Sequence, residues 1–234
     1  MLQNSVFDQH ISLGQRTLVV NIHRAPRPRN CTVINGGNFF IGDLHFGCQN
    51  RYEERTLEHD KIIKENWNYT VHNNDNVYIL GDIGKEGNNK DNEYLCEMIS
   101  TLKGNKHLIQ GNHCQLKDNR LRQLFVEIVP YKEIVDNCNG FNYNLVLCHY
   151  PILMWKNQHK GWIHLYAHVH ATEEWDVYKH SLEYLNDYFK DKTLKGRKDC
   201  PEVKAYNCGA MLPYMGYQPR TLKEIILSNT NAIV

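Results

Sequence analysis

No apolar run in the 234 residues approaches the roughly 18 that would suggest a membrane span. The stretch Met1 to Leu13 also lacks the charged and apolar regions of a secretory leader, so a cytoplasmic location and no membrane partner are expected. No C-x-x-C pair occurs among the eight cysteines, Cys31, Cys48, Cys96, Cys114, Cys138, Cys148, Cys200 and Cys208. A zinc knuckle and a thioredoxin-type motif are thereby disfavoured, and reduced thiols are expected. Charge of one sign is missing too: 27 basic against 26 acidic side chains leave a formal +1. That balance supplies no global field for gripping a long polyanion, so long nucleic acid is not an expected partner. Local basic clusters at Arg24, Arg27 and Arg29, and at Lys192, Lys195, Arg197 and Lys198, read as solvated surface. Internal repeats, low-complexity tracts and linkers are absent as well, which points to a single domain over residues 1–234.

What is present is an ordinary globular composition, 41% hydrophobic and 23% charged. Short apolar runs alternate with amphipathic stretches, the pattern of an α/β domain. Strands are expected over Asn38–Ile41, Asn76–Leu80, His107–Gln110 and Leu145–Cys148, each followed by a polar cluster. Leu57, Ile63, Trp67 and Val71 mark one face of a helix, and Tyr94, Leu95, Met98, Ile99 and Leu102 mark another. Asp91 is the expected N-cap of the second helix and Gly104 its C-terminal cap. Leu121, Leu124 and Phe125 suggest a short helix, and Leu182, Leu185, Tyr188 and Phe189 a later one. Before Asn38, strands or an irregular arm are expected, with Pro26 and Pro28 in an exposed loop.

The chemistry lies in five polar blocks: Gly42-Asp43-Leu44-His45, Gly81-Asp82, Gly111-Asn112-His113, Cys148-His149-Tyr150-Pro151 and Ala167-His168-Val169-His170. Taken singly, each is bland. Gly-Asp is a common strand exit, and a lone histidine is more often a satisfied core or surface residue. Taken together, they recur behind expected strands, where open α/β sheets bind ligands. Residues two apart on a strand share a face, so Asp43 with His45, and His168 with His170, would each present two ligands to one cavity. Carboxylate, amide oxygen and imidazole suit manganese, iron or zinc in a catalytic site, whereas a structural zinc site would want clustered thiolates. The glycines before Asp43, Asp82 and Asn112 allow close backbone approach.

These blocks resemble the calcineurin-like metallophosphoesterase superfamily, whose motifs run D-x-H, G-D, G-N-H, H and G-H-x-H in the same order. The match spans about Gly42 to His170, and GDLHFG, CHYP and HLYAHVH look like a small, mostly uncharacterised branch. Tyr206-Asn207 through Pro219 to Ile225 resembles that branch's tail more weakly. The resemblance implies a four-layer α/β/β/α sandwich, two mixed sheets flanked by helices. It also implies two divalent metal ions, with manganese preferred over iron or zinc. Asp43, His45, Asp82 and His170 would hold the first ion; Asp82, Asn112, His149 and His168 would hold the second. His113 would act on the substrate, stabilising the transferring phosphoryl group or protonating the leaving oxygen. The chain departs from the family at Cys114, where an acidic residue usually orients that histidine, and at Ala167, where glycine is usual.

The implied activity is in-line attack of a metal-activated water on the phosphorus of a phosphate ester. A protein phosphatase is disfavoured, because Asp82 leads into Ile83-Gly84-Lys85 without that branch's arginine. The expected substrate is a small phosphodiester, nucleotide-like. A phosphomonoesterase, a nuclease and a non-catalytic scaffold on the same fold are the alternatives. Between His149 and His168, Trp155, Lys156, His159 and His164 are candidates to meet a base or phosphate, with packing the commoner role for Trp155 and Trp162.

Overall fold

The computed structural model describes residues 8–13, 16–21, 36–48, 57–138, 140–190 and 200–230. Pro26, Pro28 and both basic clusters lie outside them. The chain divides into two compact units, Met1–Ile34 and Asn35–Val234. The first holds an antiparallel pair, β1 (Asp8–Leu13) and β2 (Arg16–Asn21), with Asp8 opposite Asn21.

The second unit carries the sandwich. One sheet has the order β3 (Asn38–Gly42), β4 (Asn76–Leu80), β5 (Asn105–Ile109) and β6 (Glu127–Val129), every neighbour parallel. The other is mixed, ordered β10 (Ala205–Asn207), β9 (Ile163–Tyr166), β8 (Phe141–Cys148), β7 (Tyr131–Cys138). In it β8 pairs antiparallel with β7 and parallel with β9. Only one of the two sheets is therefore mixed. The hairpin strand β7 falls outside the sequence expectations. It lies at the sheet edge with alternate residues exposed, so no apolar run marks it.

Side-chain alternation builds the layers. Phe39, Ile41, Val77, Ile79 and Leu108 point to an outer core with Ile63 and Trp67 of α1 (Leu57–Thr70) and Leu95, Met98 and Ile99 of α2 (Asn89–Ser100). Their neighbours Phe40, Tyr78, Leu80 and Ile109 point the other way, onto Leu145, Leu147, Ile163 and Leu165 of the second sheet. Val146 and Tyr166 turn outward to Tyr178 and Leu182 of α4 (Glu173–Phe189). The result is the expected helix, sheet, sheet, helix stack. The inter-sheet core also takes Leu222 and Ile225 of α5 (Leu222–Thr230). At one end the sheets are tied by polar bonds: Asn38 Nδ2 donates to Asp136 Oδ1 (2.8 Å) and Lys132 Nζ to Glu127 Oε2 (2.8 Å).

Local signals fared unevenly. The N-cap of α2 is Asn88, whose side chain accepts from Asp91 N–H (2.9 Å), so Asp91 sits inside the first turn instead of capping it. Thr101 is the C-cap, and Gly104 at φ +87° shapes the later turn into β5. The short helix α3 (Asn119–Arg122) is capped by Asp118. In α4, Leu182 and Leu185 are buried but Tyr188 is exposed. No disulfide joins two of the described cysteines.

Trp67 is fully buried, and its indole N–H donates to Lys103 O (2.9 Å), fastening α1 to the turn after α2. Trp67→Ala is expected to cost about 3–5 kcal/mol in urea unfolding, through the cavity and the lost hydrogen bond. Val126→Ala, at a position 64% exposed, should stay within about 0.5 kcal/mol.

Candidate metal centre

The five blocks gather at the carboxyl ends of five strands. Asp43 follows Gly42 of β3, Asp82 stands two residues beyond β4, and Asn112 three beyond β5. His149 follows β8 directly, and His168 and His170 lie just past β9. The backbone differs from the extended geometry that residues two apart would share on a strand. Asp43 (φ +51°), His45 (+48°), Asp82 (+44°), His168 (+75°) and His170 (+45°) are all left-handed. Side chains with a Cβ resist that region at about 1–2 kcal/mol each. Here the alternation of left-handed residues, not strand pleating, turns both members of D-x-H and H-x-H into the same space.

The ligand atoms fall into two overlapping groups. Those of Asp43, His45 and His170 lie within 4.8 Å of one another, as do those of Asp43, Asp82 and His149. Asp43 belongs to both: its Oδ2 is 3.8 Å from His170 Nδ1, and its Oδ1 is 4.0 Å from His149 Nδ1. The imidazoles sort likewise, His45 beside His170 (centroids 5.2 Å) and His149 beside His168 (5.0 Å). Both carboxylates are almost wholly buried, and each accepts a backbone N–H from an opposing loop. Asp43 Oδ2 takes His168 N–H (2.9 Å), and Asp82 Oδ1 takes His113 N–H (2.9 Å).

His149 tests whether a cation suits these donors. Its Nδ1 donates to Leu80 O (2.9 Å), leaving Nε2 toward Asn112 Oδ1 (2.9 Å) and Asp82 Oδ2 (3.6 Å). Burial pushes the imidazole pKa down, with Asp82 acting in the opposite direction. A neutral ring with its lone pair facing two oxygens needs positive charge between them, which a divalent ion supplies. The backbone makes room for this. A Cβ on Gly81 (φ +82°) would lie 2.2 Å from His149 Nδ1, and one on Gly111 would lie 2.3 Å from Asp82 Oδ1.

His113 is exposed at the rim, its ring 6.4 Å from that of His45. Cys114 turns away into the outer core, where burial pushes its thiol up to about 11. Support for the loop comes instead from Gln110 Nε2, which donates to Cys114 O (3.0 Å), and from Glu86 Oε2, which accepts Leu116 N–H (2.6 Å). Ala167 has no positive φ, so its replacement of glycine is inexpensive.

Trp155 and His164 do not reach this centre. Trp155 is buried, with its indole N–H on Trp162 O (2.9 Å), and His164 is enclosed between β8 and the loop after it. Lys156 pairs with Glu133 (2.6 Å). A cavity of about 640 Å³ beside Trp155, His159 and Phe189 is lined by none of the seven candidate ligands.

Two supporting groups escaped the sequence reading. Asp60 in α1 is buried, accepting Gly47 N–H (2.8 Å) and Tyr94 O–H (2.7 Å) and so bracing the loop that carries His45. Asn207 donates to His170 O (3.3 Å) and accepts Gly209 N–H (3.0 Å), while Gly42 N–H reaches Cys208 O (2.7 Å). The weak tail resemblance at Tyr206-Asn207 was the one signal for the second; Asp60 left none.

A family model described as calcineurin-like phosphoesterase matches residues 39–209. The Gene 66 protein of Mycobacterium phage D29 is 28% identical over 156 residues, 57% of this chain and 78% of that protein. An uncharacterised protein of Methanocaldococcus jannaschii is 28% identical over 140 residues, 57% of this chain and 69% of that one. The crystal structure of a protein of unknown function from Aquifex aeolicus matches at TM-score 0.52 and 25% identity, covering 83% of this chain and all of that one.

Gly81→Ala places a methyl against His149 and fixes an unfavourable φ. Elemental analysis after manganese loading should find metal content reduced from wild type, with a lowered melting temperature. Undiminished metal content would contradict the close-approach role.

Proposed function

Because the chain belongs to the calcineurin-like phosphoesterase family, we propose that it is a dinuclear metal-dependent hydrolase of small, nucleotide-like phosphodiesters. Manganese is the metal we favour. Asp43, His45, Asp82 and His170 would hold one ion, and Asp82, Asn112, His149 and His168 the other. The observation that carries the reading is the convergence of Asp43, Asp82 and four imidazoles from four strand ends, with Asp43 common to two groups of ligand atoms and His168 beside His149. Bound there, divalent ions lower the pKa of a water and offset charge on the phosphoryl oxygens.

The chain's own groups do the rest. Leu80 O holds His149 in the Nδ1–H form, so Nε2 would be the atom offered to a metal. Asp82 serves the centre with Oδ2 while Oδ1 anchors His113 N–H, which ties the position of His113 to that of the ligands. Water attacks phosphorus in line and releases a proton to solvent, the bond to the leaving oxygen breaks, and His113 gives that oxygen a proton that solvent then restores. No covalent enzyme intermediate is required. The preference for diesters is supported by the loop after Asp82, which runs Ile83-Gly84-Lys85 without an arginine to clamp a dianion.

Manganese-loaded protein is expected to carry about two ions per chain. Asp82→Ala should bind less, and kcat/KM should be higher for aryl diesters than for the matching monoesters. His113→Ala should keep the metal while losing roughly 10²–10⁴ in rate on poor leaving groups. Failure to bind metal, or no hydrolysis of any phosphate ester, defeats the proposal; faster monoester turnover reverses the substrate assignment.

A further inference from the structure

With Trp155 and His164 enclosed, a different residue places an aromatic ring beside the centre. Tyr150 follows the candidate ligand His149 and is 45% exposed. Its ring nonetheless lies T-shaped to those of His149 (centroids 5.1 Å, 71°) and His168 (4.9 Å, 67°). An exposed tyrosine is ordinarily mobile, but the backbone here is tied down. His164 Nε2 lies 3.0 Å from Tyr150 O and 3.2 Å from Ile152 N, and its Nδ1 is 3.1 Å from Val146 O. Burial pushes that imidazole down to about 4, so it stays neutral and in place near neutral pH. Pro151 restricts the turn further.

The rim is thus asymmetric. His113 adjoins His45, whereas Tyr150 adjoins the pair His149 and His168. On the proposed function, a phosphodiester with its leaving oxygen at His113 would have its retained group free to lie beside Tyr150. We propose that Tyr150 is a specificity-determining residue that stacks an aromatic ring, a nucleobase or a simple aryl group, on the retained side of the diester. This rests on the phosphodiesterase reading above and names the group that the site selects.

The test uses p-nitrophenyl diesters with a common leaving group and a thymidine, phenyl or methyl group retained, together with thymidine 5′-monophosphate as a binding probe. In manganese-loaded Tyr150→Leu, the kcat/KM advantage of the thymidine ester over the methyl ester should fall roughly ten-fold, mainly through KM, as expected for loss of one base–aromatic stack. Tyr150→Phe should preserve the advantage. A parallel fall for the phenyl ester assigns the platform to aryl rings in general; a fall for thymidine alone assigns it to the base. An unchanged ratio overturns the proposal, as does loss of metal from Tyr150→Leu, which would make the ring a support for the ligands. If the wild type hydrolyses no ester, the phosphodiesterase reading fails separately. Calorimetry then still decides the stacking: weaker nucleotide binding by Tyr150→Leu than by wild type supports it, and equal or absent binding overturns it.

Discussion

Five of the seven candidate ligands sit on left-handed backbone, and the rest of the site exists to hold them there. Asp43, His45, Asp82, His168 and His170 each forgo a relaxed conformation. Such conformations persist only when the surroundings over-determine them. Cross-ties between loops do this. His45 N–H reaches Asp82 O (2.9 Å), and Phe46 N–H reaches Ile83 O (3.1 Å). Asp43 takes His168 N–H, and Asp82 takes His113 N–H. A carboxylate in this centre therefore has two tasks, one lone pair fastening a neighbouring loop while the other oxygen faces the donors. Moving one ligand displaces the segment that carries another.

Beneath these loops the sandwich supplies rigidity without taking part in the chemistry. The strands stop at the same level, so parallel β3, β4 and β5 deliver their exits side by side, and β8 and β9 deliver theirs from the facing sheet. The segment after β10 joins the two halves, with Cys208 bonded both to Gly42 of the first sheet and to Tyr166 of the second. Asp60 and Tyr94 brace the outer side, where α1 and α2 meet the loop at Gly47. The apolar layers on either side of both sheets leave little freedom for these supports to relax.

The rim is chemically divided in a way that the buried ligands are not. Exposed Asn112 and His113 offer it polar groups, and Tyr150 an aromatic ring. Cys114 belongs to neither, since its thiol is packed inward and the loop is steadied by Gln110 and Glu86. The main chain of His113 is held as well, its N–H on Asp82 Oδ1 (2.9 Å).

Much of this was legible in the residues alone. Short apolar runs followed by Asp, Asn or His marked β3, β4, β5 and β8, because alternation and turn chemistry are local properties, whereas β9 before His168 and His170 was not among them. The amphipathic faces of α1, α2 and α4 were equally local. Tertiary structure decided what depends on distant partners: β7 is a strand because β8 pairs with it, and Asn88 caps α2 because of where the preceding loop ends. It also decided that Asp43 and His45 meet through left-handed backbone, which a D-x-H spacing does not reveal. Trp155 and His164 went inward and Tyr150 outward for the same reason, since burial depends on what packs against a residue from elsewhere in the chain.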